Sequence, residues 1–186
     1  SGVIVNEPLF LEALRQLRGQ ISSDPRKKIN IIVTIADISI YTQIFKLPSL
    51  SDTNLDEAVE LNLRVISPFD HGRGYSSWQM VGTTSSGEYE ILGAFVDREI
   101  SDHLSKVIET AGFGVMGMEF QALSIARLVR QKVTNLPVGG YYIMLRIFNE
   151  GMSFMIINNG QIYFDYLLKW STLVGKERQL SEDVFK

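Results

Sequence analysis

The chain has 186 residues, 45% hydrophobic and 21% charged, with 18 Lys and Arg against 21 Asp and Glu for a formal net charge of -3. This is the composition of an ordinary globular protein with enough apolar surface for a sizeable core; it excludes default disorder and any strong basic field for nucleic acid or anionic lipid. There is no cysteine, which excludes disulfides, thiolate nucleophiles and thiolate metal sites.

Asn6 is placed to cap a helix whose apolar positions Leu9, Phe10, Ala13, Leu14 and Leu17 recur at helical spacing, with Gly19 as its stop. The basic run Arg26-Lys27-Lys28 reads as a solvated strand entrance. Residues 29–36 form a nearly continuous β-branched run, the pattern of a strand covered on both faces. After Asp37, the stretch from Ile38 to Leu47 reads as a second strand closed by Pro48. Thr53 and Asp56 form a capping box for a helix with Leu55, Ala58, Val59 and Ile66 on its buried face, Asn62 among them, ended by Pro68.

Tyr75 to Val81 and Tyr89 to Val96 are predicted to pair antiparallel across the glycine-bounded loop from Gly82 to Gly87. Asp97 caps a third helix carrying Ile100, Leu104, Val107, Ile108 and Ala111, with Gly112 as its C-terminal stop, and a short strand follows at Val115 to Glu119. Residues 38–119 thus run strand, helix, strand, strand, helix, strand, the ferredoxin-like order, which predicts helices on one face of a small antiparallel sheet. A helix over Phe120 to Gln131 leads through Pro137 and Gly139-Gly140, the best boundary candidate. Beyond it come Tyr141 to Phe148, Met152 to Ile157 and Gln161 to Leu168, three strands with turn chemistry at Glu150-Gly151 and Asn158-Asn159-Gly160.

Three motifs in this order carry a resemblance. Phe45-Lys46-Leu47-Pro48 is followed by a helix opening Leu55-Asp56-Glu57-Ala58-Val59 and by Ser67-Pro68-Phe69; Ala111-Gly112-Phe113 precedes Met118 to Arg127; Gly160-Gln161-Ile162-Tyr163-Phe164 closes the last hairpin. From about Leu9 to about Leu168 the chain resembles the PilM family of type IV pilus assembly proteins, with the cytoplasmic part of the type II secretion protein GspL as a cousin. The resemblance implies an actin-like (ribonuclease H-like) α/β fold carrying a ferredoxin-like βαββαβ insertion. It implies boundaries at 1–37 for the first part of the actin-like subdomain, 38–119 for the insertion, 120–136 for a return helix and 137–186 for the three-stranded start of the second subdomain. It further implies a place at the inner membrane and a grip on the cytoplasmic tail of a PilN-like partner.

The departures from the family bear on nucleotide binding. Asn62 stands where the family has a glutamate, and Ser67 where it has an isoleucine. The family's second phosphate loop has an aspartate, a glycine and a threonine where this chain has Arg146, Phe148 and Met152 or Ser153, and the first phosphate loop is absent from this chain. A cation-phosphate loop needs a carboxylate for the metal and a glycine for close backbone approach, so no ATP or other cofactor is expected.

Other chemistry finds little support. His71, in Asp70-His71-Gly72-Arg73-Gly74, and His103 are far apart in sequence and lack a serine partner at any defined spacing, so neither a nucleophile-base pair nor a zinc site is indicated. The glycines and Arg73 of that loop suit an anion, although an ordinary loop explains them as well. Glu119, between Met118 and Phe120, needs a hydrogen-bond donor, and a neighbouring backbone group is the expected one. The aromatics of the last quarter have only Arg146 and Lys169 interleaved, which fits sheet core or an exposed face awaiting a partner better than base stacking.

The expected function is therefore a non-enzymatic cytoplasmic adaptor of a pilus or type II secretion platform, with no catalytic, cofactor or metal residues. Phe45, Leu47, Arg64, Pro68 and Phe69 are its candidate partner-binding residues, with core packing competing for Phe45 and Phe69. A homodimer is compatible with the exposed sheet face, and nucleic acid is excluded as a partner. No apolar run approaches the roughly 18 to 20 residues that span a bilayer and no signal-peptide pattern opens the chain, so membrane attachment is expected through the partner. Ser1-Gly2 without methionine, and an end at Lys186 within a polar stretch, suggest a piece of a longer protein. The alternatives are an actin-like ATPase whose site is completed by other segments, and a ferredoxin-like ligand-binding regulatory module.

Overall fold

A computed structural model describes residues 3–24, 26–49, 52–132, 140–149, 151–158 and 161–172. The chain divides into two compact units, Ser1–Ser124 and Ile125–Lys186.

In the first unit, α1 (Glu7–Ile21) begins as the sequence dictates: the Asn6 side chain accepts from the Leu9 N–H at 3.0 Å. It does not stop at Gly19. The helix continues to Ile21, where the Ser22 N–H bonds Arg18 O at 3.0 Å. Glycine in an exposed helical turn costs only about 1 kcal/mol. Arg18 holds this end down, donating to Gly112 O at 3.0 Å and Lys27 O at 2.9 Å.

Strand β1 (Ile29–Ile35) differs from the doubly covered strand expected of its composition. Ile29, Ile31, Val33 and Ile35 turn inward while Asn30, Ile32 and Thr34 are exposed. The reason is its partner: β1 pairs in parallel with β5 (Phe113–Phe120) in a two-stranded sheet. On the inward face, Leu11 and Leu14 of α1 join Leu104 and Ile108 from α3 (Arg98–Thr110), and Ala111 just after it, around Phe113. Asp97 caps α3 by accepting from the Glu99 N–H at 2.8 Å, and Gly112, at φ 91°, ends it in the left-handed turn that favours glycine.

Between these elements lie β2 (Ile40–Leu47), α2 (Asp52–Ile66), β3 (Gly74–Thr83) and β4 (Tyr89–Asp97). Residues Asp37–Ser39 form a short 3-10 turn, so β2 starts two residues later than the composition suggests. Helix α2 already includes Asp52, which puts Thr53 inside the helix and not at its cap; the side chains of both lie outside the described residues. Asn62 is satisfied within the helix, its amide donating to Ala58 O at 2.9 Å.

The strands form an antiparallel sheet in the order β2-β4-β3. The expected succession of strand, helix, strand, strand, helix, strand is present, but its last strand, β5, pairs with β1 and leaves this sheet with three strands. Helix α2 packs on one face of it, burying Leu55, Val59 and Leu63 against Leu47, Ile91 and Phe95. Each such side chain is worth about 1.5–3 kcal/mol on burial. The approach is close: a Cβ on Gly93 would lie 2.7 Å from Leu63 Cδ2.

Helix α4 (Gln121–Lys132) spans the division between the units. The boundary expected at 137–140 falls, apart from Gly140, outside the described residues, as do Glu150, Asn159 and Gly160 of the expected turns. In the second unit, β6 (Tyr141–Phe148), β7 (Gly151–Asn158) and β8 (Gln161–Lys169) form an antiparallel sheet in chain order. Its register sorts two faces. One carries Arg146, Ser153 and Asp165 beside Met144 and Met155; the other stacks three apolar rows, Ile147–Met152–Leu168, Leu145–Phe154–Tyr166 and Ile143–Ile156–Phe164.

Candidate functional site

Strand β4 is apolar on both sides, and α2 covers only one of them. Ile91, Gly93 and Phe95 alternate toward α2, which leaves Leu92, Ala94 and Val96 facing the other way. On that far side the structure has a cleft of about 520 Å³. One wall is the sheet: Leu92, Ala94 and Val96 of β4, with Ile40 of β2 and Tyr75, Ser77 and Gln79 of β3. The opposite wall is Ile35 at the end of β1, Met118 to Phe120 of β5, Ser101 of α3 and Leu123 in the first turn of α4. The size lies within the roughly 300–1,000 Å³ of ligand pockets, and the lining is apolar with a few polar groups, the usual make-up of a recognition site.

Those polar groups are held in place. Ser124 Oγ, five residues on, donates to Glu119 Oε1 at 2.8 Å. Ser101 Oγ contacts Met118 Sδ at 3.2 Å, tying α3 to β5 beneath the cleft. Asp37 Oδ1 accepts from the Ala122 N–H at 2.9 Å. That carboxylate serves the N-terminal end of α4 as a cap would, favoured by the positive pole of the helix, and fixes Leu123 against the cleft. At the rim the Tyr75 hydroxyl donates to Asp102 Oδ1 at 2.9 Å, while the Arg98 guanidinium lies 4.6 Å from the centre of the Tyr75 ring. The hydrogen bond to the Asp102 carboxylate, followed by desolvation, raises the Tyr75 pKa above its ordinary value.

The five residues singled out from the sequence do not line this cleft. Leu47 is buried under α2, and Phe45 and Phe69 pack against the same cluster. Arg64 is exposed beside Glu60 at 3.5 Å, and Pro68 is exposed at the turn after α2. Arg64 and Phe69 do meet in a smaller cavity of about 270 Å³, which His71 and Arg98 also line. His103 Nε2 lies 2.9 Å from Glu7 Oε2, joining α3 to α1. Among the described residues no group of three or more His, Asp or Glu is placed to hold a metal ion. Arg146 lies in β6; its Nε donates to Ser153 Oγ at 2.8 Å and its guanidinium lies 3.7 Å from Asp165.

Sequence reasoning missed Leu92, Ala94, Met118 and Leu123 as site residues. The available signal was β4 itself, whose second apolar face needs a second cover.

No protein-family model matches the sequence, and no curated protein matches it. Solved structures do. A PilM-PilN type IV pilus biogenesis complex superposes with a TM-score of 0.72 at 14% identity, covering 95% of this chain and 52% of that one. The chain shares the mixed α/β fold of PilM. The cytoplasmic domain of EpsL, an inner-membrane component of the type II secretion system of Vibrio cholerae, matches at a TM-score of 0.56 and 12% identity, covering 95% of this chain and 64% of that domain. A Bacteroides thetaiotaomicron protein of unknown function, described as having an actin-like ATPase fold, matches at a TM-score of 0.39 and 10% identity over 92% of this chain and 62% of its own. This chain thus spans between about half and two thirds of the chains it resembles. Among the described residues no helix is long and apolar enough to cross a membrane.

Proposed function

We propose that the protein is a non-catalytic adaptor whose cleft holds an extended peptide from the cytoplasmic tail of an inner-membrane protein of a pilus or type II secretion platform. The observation that carries this reading is the apolar cleft of about 520 Å³ behind the β2-β4-β3 sheet, in a chain that folds like the PilM of a PilM-PilN complex. In this reading β2, α2, β3 and β4 belong to the inserted subdomain and the cleft separates it from the β1–β5 sheet. Apolar peptide side chains replace water against Leu92, Val96, Met118 and Leu123, while Ser77, Gln79 and Glu119 set the orientation of the peptide. The protein works at the cytoplasmic face of the membrane and is held there by its partner. It turns over no nucleotide, a reading supported by Arg146, whose charge is engaged by Ser153 and Asp165.

The test is calorimetric titration of the chain with N-terminal tail peptides of the inner-membrane proteins encoded beside it. Ala94→Phe fills the cleft from a half-buried position and is expected to weaken binding by at least about tenfold, whereas Arg64→Ala, at the α2 exit, leaves it unchanged. Absence of binding to every such tail, or heat from magnesium-ATP at micromolar affinity, overturns the proposal.

A further inference from the structure

We infer that the open face of the β6-β7-β8 sheet is a docking surface for a second copy of this chain. Six of its large side chains, Ile143, Leu145, Ile147, Phe154, Phe164 and Tyr166, are between 37% and 76% exposed. The register puts them on one face, and their immediate neighbours there, Met152, Ile156 and Leu168, are apolar as well. The charges lie on the opposite face, where the side chains of Arg146 and Asp165 are only 10% and 8% exposed. A sheet that covers its ion pair and opens its apolar rows has the polarity of a layer meant to be covered twice.

The size of the face makes the same point. Strands of this length at about 3.4 Å per residue, three of them about 4.8 Å apart, give a plane of roughly 27 by 14 Å. Three half-exposed aromatics, worth about 150–250 Å² each when whole, and three branched aliphatics offer on the order of 600–800 Å². This exceeds the roughly 300–600 Å² of the largest apolar patch on a typical monomer. Doubled across a pair it reaches about 1,200–1,600 Å², the standard size of a specific interface.

The choice of a second copy follows from chemistry. No charged residue lies in the three apolar rows, so two identical faces meet without like-charge repulsion and need no complementary pattern from another protein. Sheets pack face to face about 10 Å apart with their strands roughly aligned, which a twofold axis lying in the interface plane permits.

Sedimentation velocity of the whole chain over a concentration series tests this. The expected result is a monomer-dimer equilibrium between one and two 21.0 kDa chains, with a dissociation constant on the order of micromolar. Ile143→Lys and Phe164→Lys, at exposed positions, are expected to shift it toward monomer by at least about a hundredfold, while Ile32→Lys, an exposed apolar residue of β1 in the other unit, leaves it unchanged. Circular dichroism matching the parent protein shows that each variant folds. A monomer at all concentrations overturns the inference, including one in which hydrogen exchange shows this face covered by the chain's own last residues. A dimer unaffected by both sheet variants overturns it equally.

Discussion

Replacing Asp165 with leucine is expected to cost the second unit about 3–5 kcal/mol, and replacing Arg146 with methionine as well is expected to restore most of it. The two groups are 3.7 Å apart with side chains 10% and 8% exposed. At that separation an effective dielectric near 20 gives about 4.5 kcal/mol of attraction, comparable with the several kcal/mol lost by each ion on leaving water. Together the pair is close to neutral. Asp165→Leu leaves a buried guanidinium with its ion partner gone, and Arg146→Met leaves a buried carboxylate in the same position.

The double variant removes both charges and fills the space with apolar groups beside Met144 and Met155. It still strips the fully buried Ser153 hydroxyl of its 2.8 Å bond to Arg146, so a residual cost of about 1 kcal/mol remains. Urea unfolding followed by Trp170 fluorescence reads this unit, because the Trp170 indole donates to Phe148 O at 3.0 Å; Trp78→Phe removes the signal of the first unit. Single variants costing under about 1 kcal/mol, or a double variant costing the sum of the singles, would refute the pairing argument.

Two further outcomes concern the cleft. Asp37→Ala removes the carboxylate that meets the Ala122 N–H, and is expected to cost about 1 kcal/mol of stability, fray the first turn of α4 in hydrogen exchange and weaken peptide binding severalfold; unchanged protection of Ala122 would contradict this. Tyr75 has a folded pKa above its unfolded one, so its contribution is fully present below the ordinary phenol range and lost as pH rises through the raised value. The stability profiles of the parent and Tyr75→Phe are therefore expected to run parallel through neutral pH and converge in alkali, and a gap that stays constant as pH rises through the raised value would count against the Asp102 bond.

The features legible in the sequence are those decided within a few residues. Asn6 and Asp97 cap their helices because a cap needs only an N–H two or three positions on. Gly112 closes α3 for an equally local reason, and β6, β7 and β8 follow from short runs of apolar, strand-forming residues. Partnerships across the chain were not legible. Nothing near Phe113 says that β5 will pair with β1, and Asp37 meets α4 across 85 positions. The residues picked by family likeness show the same limit. Phe45, Leu47 and Phe69 were singled out for their resemblance to a family pattern, and in the structure their apolar groups seat α2. The cleft is made by residues whose importance depends on which face they occupy.

Facing is where the two candidate surfaces find a common cause. A strand that needs one cover alternates, as β1 does, with Asn30 and Thr34 on its wet side. Strand β4 does not alternate, and its apolar residues beyond those under α2 line the cleft. The β6-β7-β8 sheet does not alternate either, and its uncovered residues form the apolar rows. Apolar groups spent on a face that the helices among the described residues leave uncovered lower the solubility of the monomer and add little to its core. Two such faces, one concave and one flat, suit two kinds of occupant: an inserted peptide for the cleft and an opposing sheet for the plane. Charging one face should therefore abolish one association and spare the other, so that Ala94→Phe leaves the dimer intact and Ile143→Lys leaves the affinity of the cleft for its peptide within about twofold.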